Sequence, residues 1–230
     1  MTARTSVKIS KARARIVAVI ASRSDLRRAL QMTNPPDLFE LRLDHLIGCL
    51  DEVEKKRLPA QLIITARHPS EGGANRLSIQ RRRALLQRFL PRARYIDVEL
   101  RSTNALRSIL DLARRRNIRR IISFHDFDDT PSVRVLKTKA RAAKSRGARI
   151  FKVATRTDTP AQLARLLDFA ADDDVDLALS VMGMGKLGRE SRRELMRLGS
   201  VLNYAHLSRA HIASQPSLSE VERWALEVER

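Results

Sequence analysis

Cysteine occurs once in the 230 residues, as Cys49. That excludes an internal disulfide and a zinc site built on several thiolates. Aromatic residues make up 4% of the chain, too few to furnish stacking platforms for single-stranded nucleic acid. No apolar run approaches the roughly 18 residues of a membrane-spanning helix. The N-terminus is basic, but the apolar run behind it, Ile16 to Ala21, is too short for a secretion-signal core. A cytoplasmic location is therefore expected. No linker, low-complexity stretch or composition break divides the chain. The expectation is one domain, residues 13–230, behind a basic and frayed segment at residues 1–12.

Acid is also scarce, at 26 Asp and Glu against 45 Lys and Arg, a formal net charge of +19. Such a balance invites a nucleic-acid reading. Arg outnumbers Lys 36 to 9, however, and the arginines are spread through every segment. Zinc-finger spacing, a basic zipper and an aromatic RNA-binding signature are all missing. The charge is read as solvated helix faces that also attract a small anionic substrate. Nucleic acid is not expected as a partner, and a basic, non-catalytic nucleic-acid-binding barrel stays as the outlying alternative.

Short runs rich in Val and Ile recur at Arg15–Ala21, Leu38–Leu43, Gln61–Ala66, Tyr95–Leu100, Arg120–Phe124, Arg149–Ala154, Asp176–Met182 and Val201–Leu207. Each reads as a buried parallel strand. Amphipathic helical patterns lie between them: Ser24–Met32, Leu46–Lys56, Ser78–Leu90, Ser102–Arg116, Thr130–Ser145, Thr159–Ala171, Arg189–Arg197 and Ser217–Val228. Pro131 is expected in the first turn of its helix, and Gly147 just past the end. Eight strand–helix units of about 29 residues each predict an α/β fold, a single (β/α)8 TIM barrel with short loops.

Active sites of such barrels sit at the C-terminal ends of the strands. Charged residues interrupt or end several runs there: Glu40 and Arg42, Arg67 with Glu71 close behind, Asp97 and Glu99, His125, and Lys152. Glu40 and Arg67 are 27 residues apart, as are His125 and Lys152, which suggests that each pair shares a height on neighbouring strands. Inward charges are costly unless paired, so several together point to a site. Lys152 has apolar chain neighbours, Phe151 and Val153. Desolvation there would lower its pKa and let it attack a carbonyl to form an imine. His125 is the general acid/base beside it, oriented by Glu71 or Glu40. Arg192 and Arg67 suit a carboxylate. These parts describe an imine-forming enzyme for a small anionic carbonyl compound, and they suit a Schiff-base aldolase equally.

The same residues resemble the type I 3-dehydroquinate dehydratase family over about Ile16 to Glu220. Glu40-Leu41-Arg42-Leu43-Asp44 is similar to the family's Glu-Trp-Arg-x-Asp strand. Arg67 to Gly73 resembles its Arg-x-x-x-Glu-Gly-Gly loop, and Asp97-Val98-Glu99 its Asp-x-Glu strand. Ser123 to Phe127 resembles the histidine segment, Phe151 to Ala154 the Schiff-base lysine segment, and Met184 to Arg192 the Met-Gly-x-x-Gly-x-x-Ser-Arg run. The resemblance implies dehydration of 3-dehydroquinate in the shikimate pathway, with Lys152 forming the imine, His125 moving the proton and Glu71 holding His125. It implies Glu40, Arg42 and Arg67 near the ring hydroxyls or the catalytic pair, Met182 and Met184 against the ring, and Arg192 on the carboxylate. It implies a homodimer, with no metal and no cofactor.

One segment departs from the family. Counting forward from Arg192 places His211-Ile212-Ala213-Ser214-Gln215 where the family has Ser-Ala-Pro-Gly-Gln. Gln215 keeps its place over the substrate, His211 replaces the lid serine, and Ser214 is a stand-in hydroxyl. An altered-specificity relative is the alternative that this segment motivates.

Overall fold

The computed structural model describes residues 14–210, 212 and 214–228. The segment expected to fray, residues 1–12, and His211 of the lid lie outside the described residues. Eight strands alternate with eight helices: β1 (Arg15–Ile20), α1 (Arg23–Leu30), β2 (Leu38–Arg42), α2 (Leu50–Lys55), β3 (Gln61–Thr65), α3 (Ile79–Phe89), β4 (Tyr95–Glu99), α4 (Arg107–Arg115), β5 (Arg119–Asp126), α5 (Val133–Ser145), β6 (Ile150–Arg156), α6 (Pro160–Ala170), β7 (Ala178–Met184), α7 (Gly188–Arg197), β8 (Leu202–His206) and α8 (Leu218–Val228). The strands are parallel neighbours in the order β8-β1-β2-β3-β4-β5-β6-β7. The β7–β8 seam completes the (β/α)8 barrel. There Val201 N donates to Leu179 O at 2.9 Å and Ser180 Oγ donates to Leu202 O at 2.8 Å.

The uniform apolar runs follow from burial on both faces. Along β1, Val17 and Val19 belong to the cluster inside the barrel with Leu38, Ile63, Tyr95, Ile121 and Ile150. The alternate residues Ala18 and Ile20 join the larger layer between sheet and helices with Phe39, Ile64 and Phe151. A period-2 backbone thus serves two apolar environments at once.

Several boundaries differ from the sequence reading. Ser22 caps α1, its Oγ accepting from Asp25 N at 3.1 Å, two residues before the expected start. Pro131 precedes Ser132, the N-cap of α5, and so lies outside the first turn. The stretch read as one helix from Leu46 is a 3-10 turn, Ile47–Cys49, followed by a six-residue α2. β5 and β7 run on to Asp126 and Met184, two residues past their expected ends. His125 and Met184 therefore sit on strands, where backbone pairing fixes their direction. Gly147 has φ +78°, as a residue just past a helix end requires.

Candidate active site

Inward side chains of alternate barrel strands stack in layers of four, normally bulky and apolar. Leu38, Tyr95, Ile150 and Leu202 on β2, β4, β6 and β8 are apolar and buried inside the barrel. Two residues further along the same strands come Glu40, Asp97, Lys152 and Tyr204, and three of these four are charged. Lys152 Nζ lies 2.9 Å from Asp97 Oδ2 and 3.5 Å from Glu40 Oε1. The ammonium stands 4.1 Å over the ring of Tyr204, a cation–π contact in a dry setting. Its apolar chain neighbours Phe151 and Val153 point outward into the helix layer. Lys152 is thus a member of a charge network rather than alone in an apolar wall.

Arg67 closes this network from above. Its guanidinium forks onto Asp97 at 3.1 and 2.8 Å and donates to Ser123 Oγ at 2.6 Å. It also meets Glu99 at 3.3 Å and Glu40 at 3.7 Å. These acids occupy its donors, so carboxylate binding by Arg67, one of the expected roles, finds no free edge. Thr65 Oγ1 donates to Glu40, and Arg82 from α3 reaches in to Glu99. Burial opposes ionisation of Asp97, but Arg67 and Lys152 outweigh it and hold the carboxyl well below the usual range.

His125 stands near the top of β5, its side chain 10% exposed. Its Nδ1 lies 3.0 Å from Glu71 Oε2, and its main-chain N donates to the same oxygen at 3.0 Å. Burial, then the charges of Arg67 and Lys152, hold the imidazole well below its ordinary pKa. It is neutral at pH 7. Burial, and then Glu99, push Glu71 up to about 7. Glu71 is carried by a tight loop. Gly72 has φ +80°, and a Cβ on Gly73 would lie 2.3 Å from Arg67 O. The Glu-Gly-Gly sequence is therefore a steric requirement of this turn. Arg42 serves that loop: its fork takes Asp44 at 3.1 and 2.8 Å, and Nη2 donates to Gly72 O at 2.9 Å. Asp44 also accepts from Arg67 N and Ala74 N.

The equal spacings of 27 residues have a different meaning from the one expected. Glu40 pairs in register with Ile63, not Arg67, and Lys152 pairs with Ser123, not His125. Arg67 lies two residues past the end of β3. The pair that meets in the charged layer is Glu40 with Lys152, and the Arg67 guanidinium joins them through Asp97.

On the other side, Met182 and Met184 from β7 are buried inside the barrel with Ala154 and Tyr204. Arg192 on α7 is 7% exposed. It donates to Gly183 O at 3.1 Å and Tyr204 O at 3.4 Å. Among the described residues no carboxylate is within ion-pair distance of it, and burial lowers its pKa to about 10. Gln215 is buried, its main-chain N donating to Ile212 O at 2.8 Å. Ser214 Oγ is buried without a hydrogen-bond partner among the described residues.

In the ion pairs Glu40, Asp44, Asp97 and Glu99 are matched by Arg42, Arg67, Arg82 and Lys152, while Glu71 faces the neutral His125. Arg192 has no carboxylate at ion-pair distance among the described residues and is the buried cation placed to take an external anion. Sequence reasoning noted Asp97, Asp44 and Ser123 within motifs but gave them no role of their own, and it missed Tyr204 and Arg82. For Asp97 and Tyr204 the signal was present: the two-residue strand period that turns Glu99 inward turns Asp97 inward too. For Arg82, on a helix read as amphipathic, no signal existed.

A family model described as Type I 3-dehydroquinase matches residues 14–227. Among curated relatives, a 3-dehydroquinate dehydratase of Thermodesulfovibrio yellowstonii is 31% identical over 190 residues, 80% of this chain and 82% of that protein. One of Pyrococcus abyssi is 29% identical over 212 residues, 90% of this chain and 95% of that protein. The solved 3-dehydroquinate dehydratase of Aquifex aeolicus superposes with a TM-score of 0.77 at 26% identity, covering 94% of this chain and 99% of that one. The type I enzyme of Clostridium difficile superposes with a TM-score of 0.84 at 21% identity, covering 95% and 94%.

Proposed function

The chain belongs to the type I 3-dehydroquinase family, and from that premise we propose that it dehydrates 3-dehydroquinate through an imine on Lys152. As a hydro-lyase of the shikimate pathway it removes water from 3-dehydroquinate to give 3-dehydroshikimate. The observation that carries the imine reading is the position of Lys152. It is a buried amine at the centre of a charged layer, below a neutral histidine, in a barrel with one unmatched guanidinium.

In this reading the Lys152 ammonium first passes its proton to a neighbour, the free amine adds to the substrate ketone to give a carbinolamine, and the proton returns to the carbinolamine hydroxyl, which leaves as water to form an iminium. His125 takes a proton from the carbon alpha to the iminium, which accepts the electron pair. The beta-hydroxyl leaves as water, protonated by the same His125. Hydrolysis of the imine then frees the enone and restores Lys152. Glu71, ionised above about pH 7, accepts from Nδ1 and leaves Nε2 as the working nitrogen. The order of charges supports Arg192 as the holder of the substrate carboxylate, since among the described residues it has no acid at ion-pair distance. Glu40 and the loop held by Arg42 border the ring hydroxyls, Arg67 positions the acids beside Lys152, Met182 and Met184 pack on the ring, and Gln215 closes over it. A cytoplasmic homodimer fits the family.

Borohydride added with 3-dehydroquinate should trap a covalent adduct on Lys152, while enone absorbance reports turnover. Lys152→Ala should show neither. Wild-type turnover by that variant would end the imine reading.

A further inference from the structure

We propose that the floor of the barrel, at the opposite end from the candidate active site, binds a chain of closely spaced phosphates. The inference is independent of the dehydratase reading. At the mouth Arg42 pairs with Asp44, Arg67 with Asp97, Arg156 with Asp158 and Arg189 with Glu220, while Arg192 has no carboxylate at ion-pair distance among the described residues.

At the floor, four consecutive helix–strand connections bring arginines side by side. The one before β3 carries Arg57, the one before β4 carries Arg92 and Arg94, the one before β5 carries Arg116 just after Arg115 ends α4, and the one before β6 carries Arg149. They are adjacent in space. Arg94 N donates to Leu62 O at 2.9 Å, Arg119 N to Arg94 O at 3.1 Å and Arg149 N to Arg120 O at 2.8 Å. Arg57, Arg94, Arg115, Arg116 and Arg149 are exposed. Among the described residues none of them has a carboxylate at ion-pair distance. Helix macrodipoles explain basic residues in a last turn, but Arg57, Arg94 and Arg149 stand beyond the helix ends.

The surface is also shaped. An open cleft of about 630 Å³ is lined by Arg57, Arg92, Arg94 and Gln61, with Pro59 and Pro91 in its walls. Arg92 is fastened to the carbonyls of Val53 at 2.7 Å and Glu54 at 2.9 Å, so one edge of the cleft is held rigid. The chemistry of the lining selects the ligand. Guanidinium forks match phosphate oxygens better than ammonium does. No aromatic side chain lines the cleft, so contact is with the phosphate chain and not with stacked bases. Inorganic polyphosphate and the backbone of a nucleic-acid duplex share that chemistry.

The test is fluorescence anisotropy of the full chain with a labelled 20-base-pair DNA duplex, with inorganic polyphosphate and polyglutamate as competitors. Binding in about 20 mM salt should weaken as salt rises, with a log–log slope of about −4 for four or five contacts. The variant R57E/R94E/R116E should bind at least tenfold more weakly and keep wild-type dehydratase turnover and thermal midpoint. Displacement by polyphosphate supports the proposal, and whether the duplex or polyphosphate binds alone identifies the source. Lack of binding by the wild type to both at low salt overturns it, as does undiminished affinity in the folded variant. Equal competition by polyglutamate also overturns it, and points to an acidic protein instead.

Discussion

Replacing Glu71 with Gln should make the protein more stable at alkaline pH and much less active. Glu71 has 5% of its side chain exposed, and its carboxyl titrates at about 7 instead of the 4.5 of an unfolded chain. Between those values the folded state holds a proton that the unfolded state has released, so stability falls as pH rises. The difference between those two values corresponds to about 3 kcal/mol, lost progressively from pH 4.5 to just above 7. Gln carries no charge at either end of that range and nearly the same shape. His125 titrates with the opposite sign, its stabilising share being lost as pH falls below 6.5, but it is present in both proteins. The difference between wild type and Glu71→Gln in urea unfolding should therefore be near zero at pH 4 and grow to about 3 kcal/mol in favour of the variant by pH 8. Turnover should fall about a hundredfold, because an amide neither fixes the Nδ1 tautomer nor supports the imidazolium. The acid-side inflection near pH 7, which belongs to the Glu71–His125 pair, should disappear. A difference curve that is flat or slopes the other way would refute burial as the cause of the raised carboxyl pKa.

Four further outcomes follow from the same site. Arg192→Met should raise the thermal midpoint, because an unmatched buried guanidinium is removed, while KM for 3-dehydroquinate rises about a hundredfold with a smaller change in kcat. Arg192→Lys keeps the charge without the fork and should fall between the two in KM. Tyr204 Oη is buried without a partner among the described residues, so Tyr204→Phe should leave urea stability unchanged or raise it by up to about 1 kcal/mol, with the ring still against Lys152. Tyr204→Leu, lacking the π face, should trap less imine with borohydride at a given pH.

The barrel could be read from the chain because each strand is buried on both faces and so appears as an unbroken Val and Ile run. Helix starts were less readable, since Ser22 and Ser132 compete with nearby Ser24 and Pro131 as start signals, and only the backbone shows which is the cap. Glu71, His125 and Lys152 were findable as polar interruptions of apolar pattern. Arg82 was not, because an arginine on a helix looks solvated until a carboxylate such as Glu99 is folded beneath it. The spacing of 27 residues misled because chain distance counts whole units and ignores the stagger between neighbouring strands. Net charge was the least informative number, since it cannot separate arginines matched to acids from arginines left free on one face.

The charged layer also bears on how the molecule must fold. Its contacts join residues 55 and 112 positions apart, Asp97 to Lys152 and Glu40 to Lys152. Each group stays hydrated until strands from both halves of the chain have come together. Long-range closure of this kind is slow compared with helix formation. The centre of the barrel is therefore the last region to lose its water on refolding, and helical circular dichroism should recover before Lys152 becomes competent for trapping.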